Sequence, residues 1–318
     1  RDFFGDAAVP GPAPEGPACL GRDDELLRLA SRLPVRIRLG VSSRAFAAPA
    51  GDNGEFEPSA CVLPEDALAN LARHPLLRTA GVDRTFHAPV READYARLAA
   101  SVPAGLRLVV KAPQSLTATY RHRSREGDSL YLDPVAARDL FVDPCLAGLG
   151  VAAGPLVFQF PPQGRDAVGD PPAFAARLER FLRGLPEGPL YAVELRDRQL
   201  AGTPTIRALA AAGARLCLAV HARMPPVHVQ AAAATSLGAG PLVVRWNLRP
   251  GIASAGARKH HAPINRVIDE SPATRSQIAR LCRECAASDQ DAWVIASDET
   301  EGSALEAIER LAQAIAGT

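Results

Sequence analysis

Several charged or polar side chains stand where short apolar runs stop. Asp83 follows T-A-G-V, Lys111 follows L-R-L-V-V, and Gln159 interrupts G-P-L-V-F-Q-F-P-P (154–162). Glu194 follows L-Y-A-V, Arg245 follows P-L-V-V, and Arg196, His221 and Asn247 sit at or just beyond similar ends. Together these residues could handle an anion. Lys111, Arg196 and Arg245 would bind phosphate or carboxylate, with arginine suited to a two-pronged grip. Glu194, Lys111 and Asp83 are the candidates for acid/base work, because a carboxylate among apolar neighbours can have its pKa raised toward working pH. Gln159, His221 and Asn247 would complete the ligand contacts. The competing reading is a buried ion-pair network, since buried charges must be paired whether or not they do chemistry. For Ser42, Asn247 and Asp298, short polar residues at strand ends, turn hydrogen bonding is the stronger reading.

Metal chemistry has weaker support. Asp83, Glu194, His221, His228 and Asp298 are ligands by type, but no H-E-x-x-H, H-x-H or D-x-D spacing joins them. No metal is assigned, and the cofactor is left unknown. The six cysteines are scattered, unlike a small disulfide scaffold. Cys282 and Cys285 form one C-x-x-C inside a helical pattern, with no second pair, and read as small residues on one helix face.

These residues need a scaffold that brings distant strand ends together. Strands are predicted at 35–41, 79–86, 106–110, 154–160, 190–195, 215–220, 241–246 and 292–296. The continuous apolar run of the fourth suits a strand buried on both faces, and Pro161 and Pro162 stop it. Helices are predicted from Arg22 to Leu33, from Pro64 to Leu71, from Glu92 to Ala100, from Pro134 with a break at Pro144, and from Pro172. Another has Thr203 as N-cap and Pro204 as first helical residue, with Gly213 as the stop, and a further one runs from Ser271 to Ala287. In the last helix Ser303 caps and Glu306 is expected to reach back, with Leu305, Ile308, Leu311 and Ile315 on the apolar face. About eight alternations of strand and helix predict an α/β fold, a TIM-like (β/α)8 barrel whose chemistry lies at the carboxyl ends of its strands. No G-x-G-x-x-G marks an open dinucleotide-binding sheet. Residues 1–34 read as a Pro/Gly/Ala-rich lead-in with a short helix, and residues 35–318 as one barrel domain.

Read in order, L-G-V-S-S (39–43), G-V-D-R-T-F-H-A-P (81–89), L-V-V-K-A-P (108–113), G-P-L-V-F-Q-F-P-P (154–162), Y-A-V-E-L-R (191–196) and V-R-W-N-L (244–248) resemble the YecE-like family, domain of unknown function 72. The segment from Gly302 to Ala304 fits too, so the resemblance runs from about residue 35 to the end. It implies a TIM-barrel-like fold and no established reaction. The chain departs from the family pattern at Arg44, His87, Ser297, Asp298 and Asp83, where Trp, Tyr, two Asn and Glu are common.

Net charge is +1, so no global field draws the chain to nucleic acid or anionic membrane. No uncharged run is long enough to span a bilayer. The sequence begins at Arg1, which points to a start upstream; no signal peptide is visible, and a cytoplasmic location is expected. The expected partner is a small anionic ligand held at the barrel mouth, with acid/base chemistry as its extension. The alternatives are a nucleic-acid-binding or phosphodiester-cleaving protein and a non-catalytic ligand-binding protein. The nucleic-acid reading draws on two basic segments, Arg121–Arg125 and Arg249–Arg266. The second of these, with Arg245 and the start of the last helix, is also a candidate anion site. Oligomeric state is left open.

Overall fold

The computed structural model describes residues 17–42, 73–119, 130–248, 266–297 and 300–317. Eight strands, β1 (Ile37–Ser42), β2 (Leu77–Val82), β3 (Arg107–Lys111), β4 (Ala153–Phe160), β5 (Tyr191–Leu195), β6 (Arg215–Val220), β7 (Leu242–Trp246) and β8 (Ala292–Ala296), pair in chain order. All pairings are parallel, and β1 closes on β8, so the sheet is a barrel without an edge. The expected fold class is the one observed. Around the barrel lie α1 (Pro17–Arg32), α2 (Glu92–Ala100), a broken α3 (residues 134–149), α4 (Gly164–Gly169), α5 (Pro171–Arg183), α6 (Thr203–Ala211), α7 (Val227–Ala233), α8 (Pro272–Ala287) and α9 (Ala304–Ala316). The helix expected after Pro64 lies outside the described residues.

Period-2 alternation decides what faces the lumen. Val109, Val157, Ala192, Cys217, Val243, Trp293 and Ile295 form one buried cluster inside the barrel. The alternate side chains turn outward to the helices. In β4, Val157 points in, while Phe158 packs edge-on against Phe141 and Phe181, with ring centroids 5.7 and 5.1 Å apart. Phe160 packs in the same way against Phe174 at 5.6 Å. That is why β4 is apolar at nearly every position: both its faces are buried.

Several local expectations shift, each for a physical reason. The second strand starts at Leu77 and ends at Val82, and Asp83 opens a 3-10 turn, Arg84–Phe86. Thr85 is therefore not a strand residue; its hydroxyl lies between the carbonyls of Val82 and Lys111. The helix beginning at Pro134 is broken as expected near Pro144, passing from Pro134–Ala137 through a π-helical turn, Arg138–Val142, into Asp143–Leu149. A proline without an N–H cannot bond the carbonyl of the preceding turn, and widening the helix absorbs the defect. Thr203 is the first helical residue and Gly202 the cap, with no side-chain bond, so Thr203 does not cap. Ser303 does cap α9, but Glu306 does not reach back. Its carboxylate accepts from the Val267 amide at 2.8 Å and pairs with Arg310. The helix α7 has no counterpart among the predicted elements. The C-x-x-C behaves as helix packing: Cys282 is buried and Cys285 half-buried on α8. Among the described residues no helix is long and apolar enough to cross a membrane.

The lead-in helix is tied to the barrel. Leu29, Ala30 and Leu33 are in the core. Arg78 of β2 donates to the carbonyls of Ala30 and Pro34 at 3.0 and 2.9 Å.

Strand closure requires a residue without a side chain at Gly40, where the register between β1 and β2 shifts. A Cβ there would lie 2.1 Å from the Thr79 carbonyl oxygen. Gly40→Ala is expected to lower unfolding free energy by at least about 2 kcal/mol through overpacking. Gly169→Ala, where a Cβ meets nothing within 4 Å, should change it by less than about 0.5 kcal/mol. Urea denaturation of both variants checks this, and equal midpoints would contradict it.

Candidate functional site

The carboxyl ends of the strands carry a second lumenal layer above the apolar one. Parallel register puts Gln159 beside Glu194 and Glu194 beside Cys217. Arg245 of β7 crosses the lumen toward β2, and its Nη2 lies 2.6 Å from Asp83 Oδ2. Its Nε lies 3.9 Å from Glu194 Oε2. The other Asp83 oxygen, Oδ1, lies 3.4 Å from Lys111 Nζ. Arg196 Nη2 contacts Glu194 Oε1 and donates to Gln159 Oε1 at 3.4 Å. Asp83, Lys111, Gln159, Glu194, Arg196 and Arg245 are thus brought into one connected network.

Local sequence explains how the network is held. Gly81 makes room for it: a Cβ there would sit 3.1 Å from Arg245 Nη1 and 2.8 Å from Ile295 Cγ2. The 3-10 turn after β2 sets Lys111, whose ammonium lies 5.1 Å over the Phe86 ring while Thr85 holds its carbonyl. Burial is deep: Glu194 is 0% exposed, Arg245 2%, Arg196 8% and Lys111 9%. Glu194 is not among apolar neighbours, as the sequence suggested; two guanidiniums flank it. Neither of its oxygens has an aligned hydrogen bond among the described residues. The carboxylate is held by ionic contact alone and keeps acceptor capacity, an unusual state for a buried polar group.

The electrostatics follow from this packing. Burial alone would push the Asp83 carboxyl up, but Arg245 and Lys111 overcome it and hold its pKa below the usual carboxylate range. Burial lowers the Lys111 pKa, with Asp83 pulling the other way. Arg245 stays charged, because Asp83 and Glu194 outweigh the cost of burying it. Burial next to Glu194 pushes the Cys217 thiol well up, which leaves it inert. Burial, and then the charge of Arg196, brings His221 down to about 4.

His221 and Asn247 are further out. His221 Nδ1 accepts from the Arg223 amide at 3.3 Å, and Asn247 Nδ2 donates to the Arg245 carbonyl at 3.3 Å. Ser42 is buried at the end of β1. Asp298, Arg249 and Arg258 lie outside the described residues, as do the segments 120–129 and 249–265. Among the described residues no three His, Cys, Asp or Glu side chains are grouped to hold a metal ion.

Gln163 and Asp197 are among the buried polar residues that escaped the sequence reading. Gln163 donates to the carbonyls of Thr117 and Pro161, and its Oε1 accepts from the Tyr131 hydroxyl at 2.7 Å. Asp197 accepts from the Gln163 amide at 2.7 Å and pairs with Arg223. A polar residue just past Pro-Pro, and a second charge just past Arg196, are the only marks they leave in the sequence.

The Asp83 cluster makes a stability prediction. Asp83→Asn removes the partner of two buried cations and is expected to cost about 3–5 kcal/mol. Asp83 has a lower pKa folded than unfolded, so its contribution is full above about pH 4, the unfolded value. It is lost as pH falls further. His221 works in a higher window. Its folded pKa of about 4 lies below the unfolded value of about 6.5, so the unfolded chain binds the extra proton as pH falls through that range. Stability should decline from about pH 6.5 toward 4, and His221→Gln should flatten that limb. Urea unfolding from pH 3 to 8 on the three proteins tests both. A limb between pH 4 and 6.5 that survives in His221→Gln would contradict the His221 assignment.

Comparison with known proteins agrees with this architecture. A family model described as "Protein of unknown function DUF72" matches residues 47–318. Two crystal structures of a DUF72 family protein from Enterococcus faecalis V583 are similar to this chain. One has a TM-score of 0.58 at 12% identity, covering 88% of this chain and 95% of that one. The other has a TM-score of 0.57 at 14% identity, covering 89% and 98%. A DUF72 family protein from Thermotoga maritima MSB8 has a TM-score of 0.52 at 14% identity, covering 86% and 97%. At such identities the likeness speaks for the fold alone. No curated protein matches the sequence. The family match spans most of the chain, including every described strand from β2 onward, and the chain belongs to the DUF72 family.

Proposed function

We propose that the barrel mouth binds a small anionic ligand bearing a phosphate or carboxylate group. The observation that carries this reading is a charge imbalance. Among the described residues three buried cations, Lys111, Arg196 and Arg245, face two carboxylates, Asp83 and Glu194. His221 adds no charge at neutral pH. An enclosed excess of positive charge is weakly screened by salt and favours an anion.

The geometry divides the work. Arg245 is committed to Asp83 and Glu194, so it sets the potential of the site rather than gripping the ligand. Arg196 retains a buried Nε donor with no acceptor among the described residues. Among the described residues Lys111 has one carboxylate partner, at the longer distance of 3.4 Å. Arg196 and Lys111 are therefore the gripping pair. Proton transfer, where the ligand calls for it, falls to Lys111, whose pKa burial lowers. Asp83, kept ionised, positions that ammonium. The nucleic-acid reading rests on the basic segments at 121–125 and 249–266, and nearly all of those residues are outside the described ones.

Phosphate is expected to raise the melting temperature saturably, as binding linkage requires. Lys111→Gln and Arg196→Gln should each shrink the rise. Arg183→Gln, on an exposed helix face, should leave it intact. Differential scanning fluorimetry against sodium chloride of matched ionic strength decides the point. A rise that tracks ionic strength alone, or survives in both mouth variants, would overturn the assignment.

A further inference from the structure

Beside the mouth, between the segments that follow β5 and β6, lies a small open pocket of about 250 Å³. Arg196, Asp197, Arg198, Gln199, Ala222 and Arg223 line it. Three arginines face one carboxylate there, and that carboxylate is already occupied. Asp197 Oδ2 accepts from the Gln163 amide at 2.7 Å, and Oδ1 lies 3.4 Å from Arg223 Nη2. Asp197 therefore anchors Arg223, and Arg196 is paired with Glu194, which leaves Arg198 without a carboxylate partner among the described residues.

Arg196 belongs to both places. Its Nη2 is in the mouth, on Glu194 and Gln159, while the residue also lines the rim pocket. Its Nε is buried and has no acceptor among the described residues, and the whole residue is only 8% exposed. A buried guanidinium with an idle donor is costly unless something accepts from it. The pocket is smaller than the roughly 300–1,000 Å³ that usually encloses a whole ligand. Its size and charge suit one ionised group of a molecule whose other part lies elsewhere.

We propose that the rim pocket is a second anion subsite, and that the ligand class is a small molecule carrying two anionic groups. One group sits in the mouth at Lys111 and Arg196. The other sits among Arg196, Arg198 and Arg223. This rests on the anionic-ligand reading of the mouth and adds the second group to it. Both ends share Arg196, so a linker of a few atoms joins them. Tethering makes binding of the second group intramolecular, which raises affinity without a new type of contact.

Isothermal titration with methylphosphonate and with α,ω-alkane bisphosphonates of two to six carbons tests this on the full chain. One member of the series is expected to bind at least about tenfold more tightly than methylphosphonate, with an optimum in chain length. In Arg198→Ala and Arg223→Ala, both exposed positions, that advantage should fall toward onefold. Circular dichroism confirms that the variants are folded, and Arg223→Lys should restore part of the advantage. If methylphosphonate and every bisphosphonate bind equally, the rim subsite is wrong and the mouth stands. If neither binds, the mouth reading fails and takes the rim with it. An advantage that persists in both arginine variants also overturns the subsite.

Discussion

Arg245 is buried in the lumen between Asp83 and Glu194, and the site depends on that placement. A lone guanidinium in such surroundings would be prohibitively costly, and two carboxylates, one just past β2 and one on β5, make it tolerable. The strand before Asp83 must therefore carry Gly81, because any side chain there would meet the guanidinium. The turn after Asp83 must place Phe86 and Thr85 against Lys111. A barrel supplies this geometry readily, since its strand ends converge while their sequence positions remain far apart.

The proposed function treats the cluster as more than a plug. A pure closure would be expected to balance its charges and satisfy its polar atoms. Among the described residues three cations meet two carboxylates, Glu194 lacks aligned donors, and Arg196 keeps an idle Nε. Below it the apolar layer of Val109, Val157, Val243 and Ile295 closes the lumen. That leaves the carboxyl-end face as the side from which the proposed ligand would reach the charges. Such incomplete satisfaction above a complete core is where a barrel has room for function.

Much of this was legible in the sequence. Every described strand was placed to within two or three residues at its start, because buried parallel strands are apolar runs closed by proline, glycine or charge. The lumenal orientation of Lys111, Gln159, Glu194 and Arg245 follows from alternation and strand direction. Their partners do not. Arg245 and Asp83 are 162 positions apart, and only the closed register between strands brings them together. Glu306 illustrates the limit at shorter range. Its spacing from Ser303 fits a reciprocal cap, yet the Val267 amide competes for the same carboxylate and wins. The helix Val227–Ala233 was missed because an alanine-rich segment after two prolines shows little apolar periodicity. Gln163 and Asp197 were missed because a single polar residue beside a turn looks like solvent-facing loop until the loop folds over it.

The most direct measurement is a crystal of the full chain soaked in tungstate, an anion that reports its own position by anomalous scattering. The account predicts a peak within hydrogen-bonding distance of Lys111 Nζ and the Arg196 guanidinium. Peaks confined to exposed arginines and lysines, with the mouth filled only by water, would contradict it.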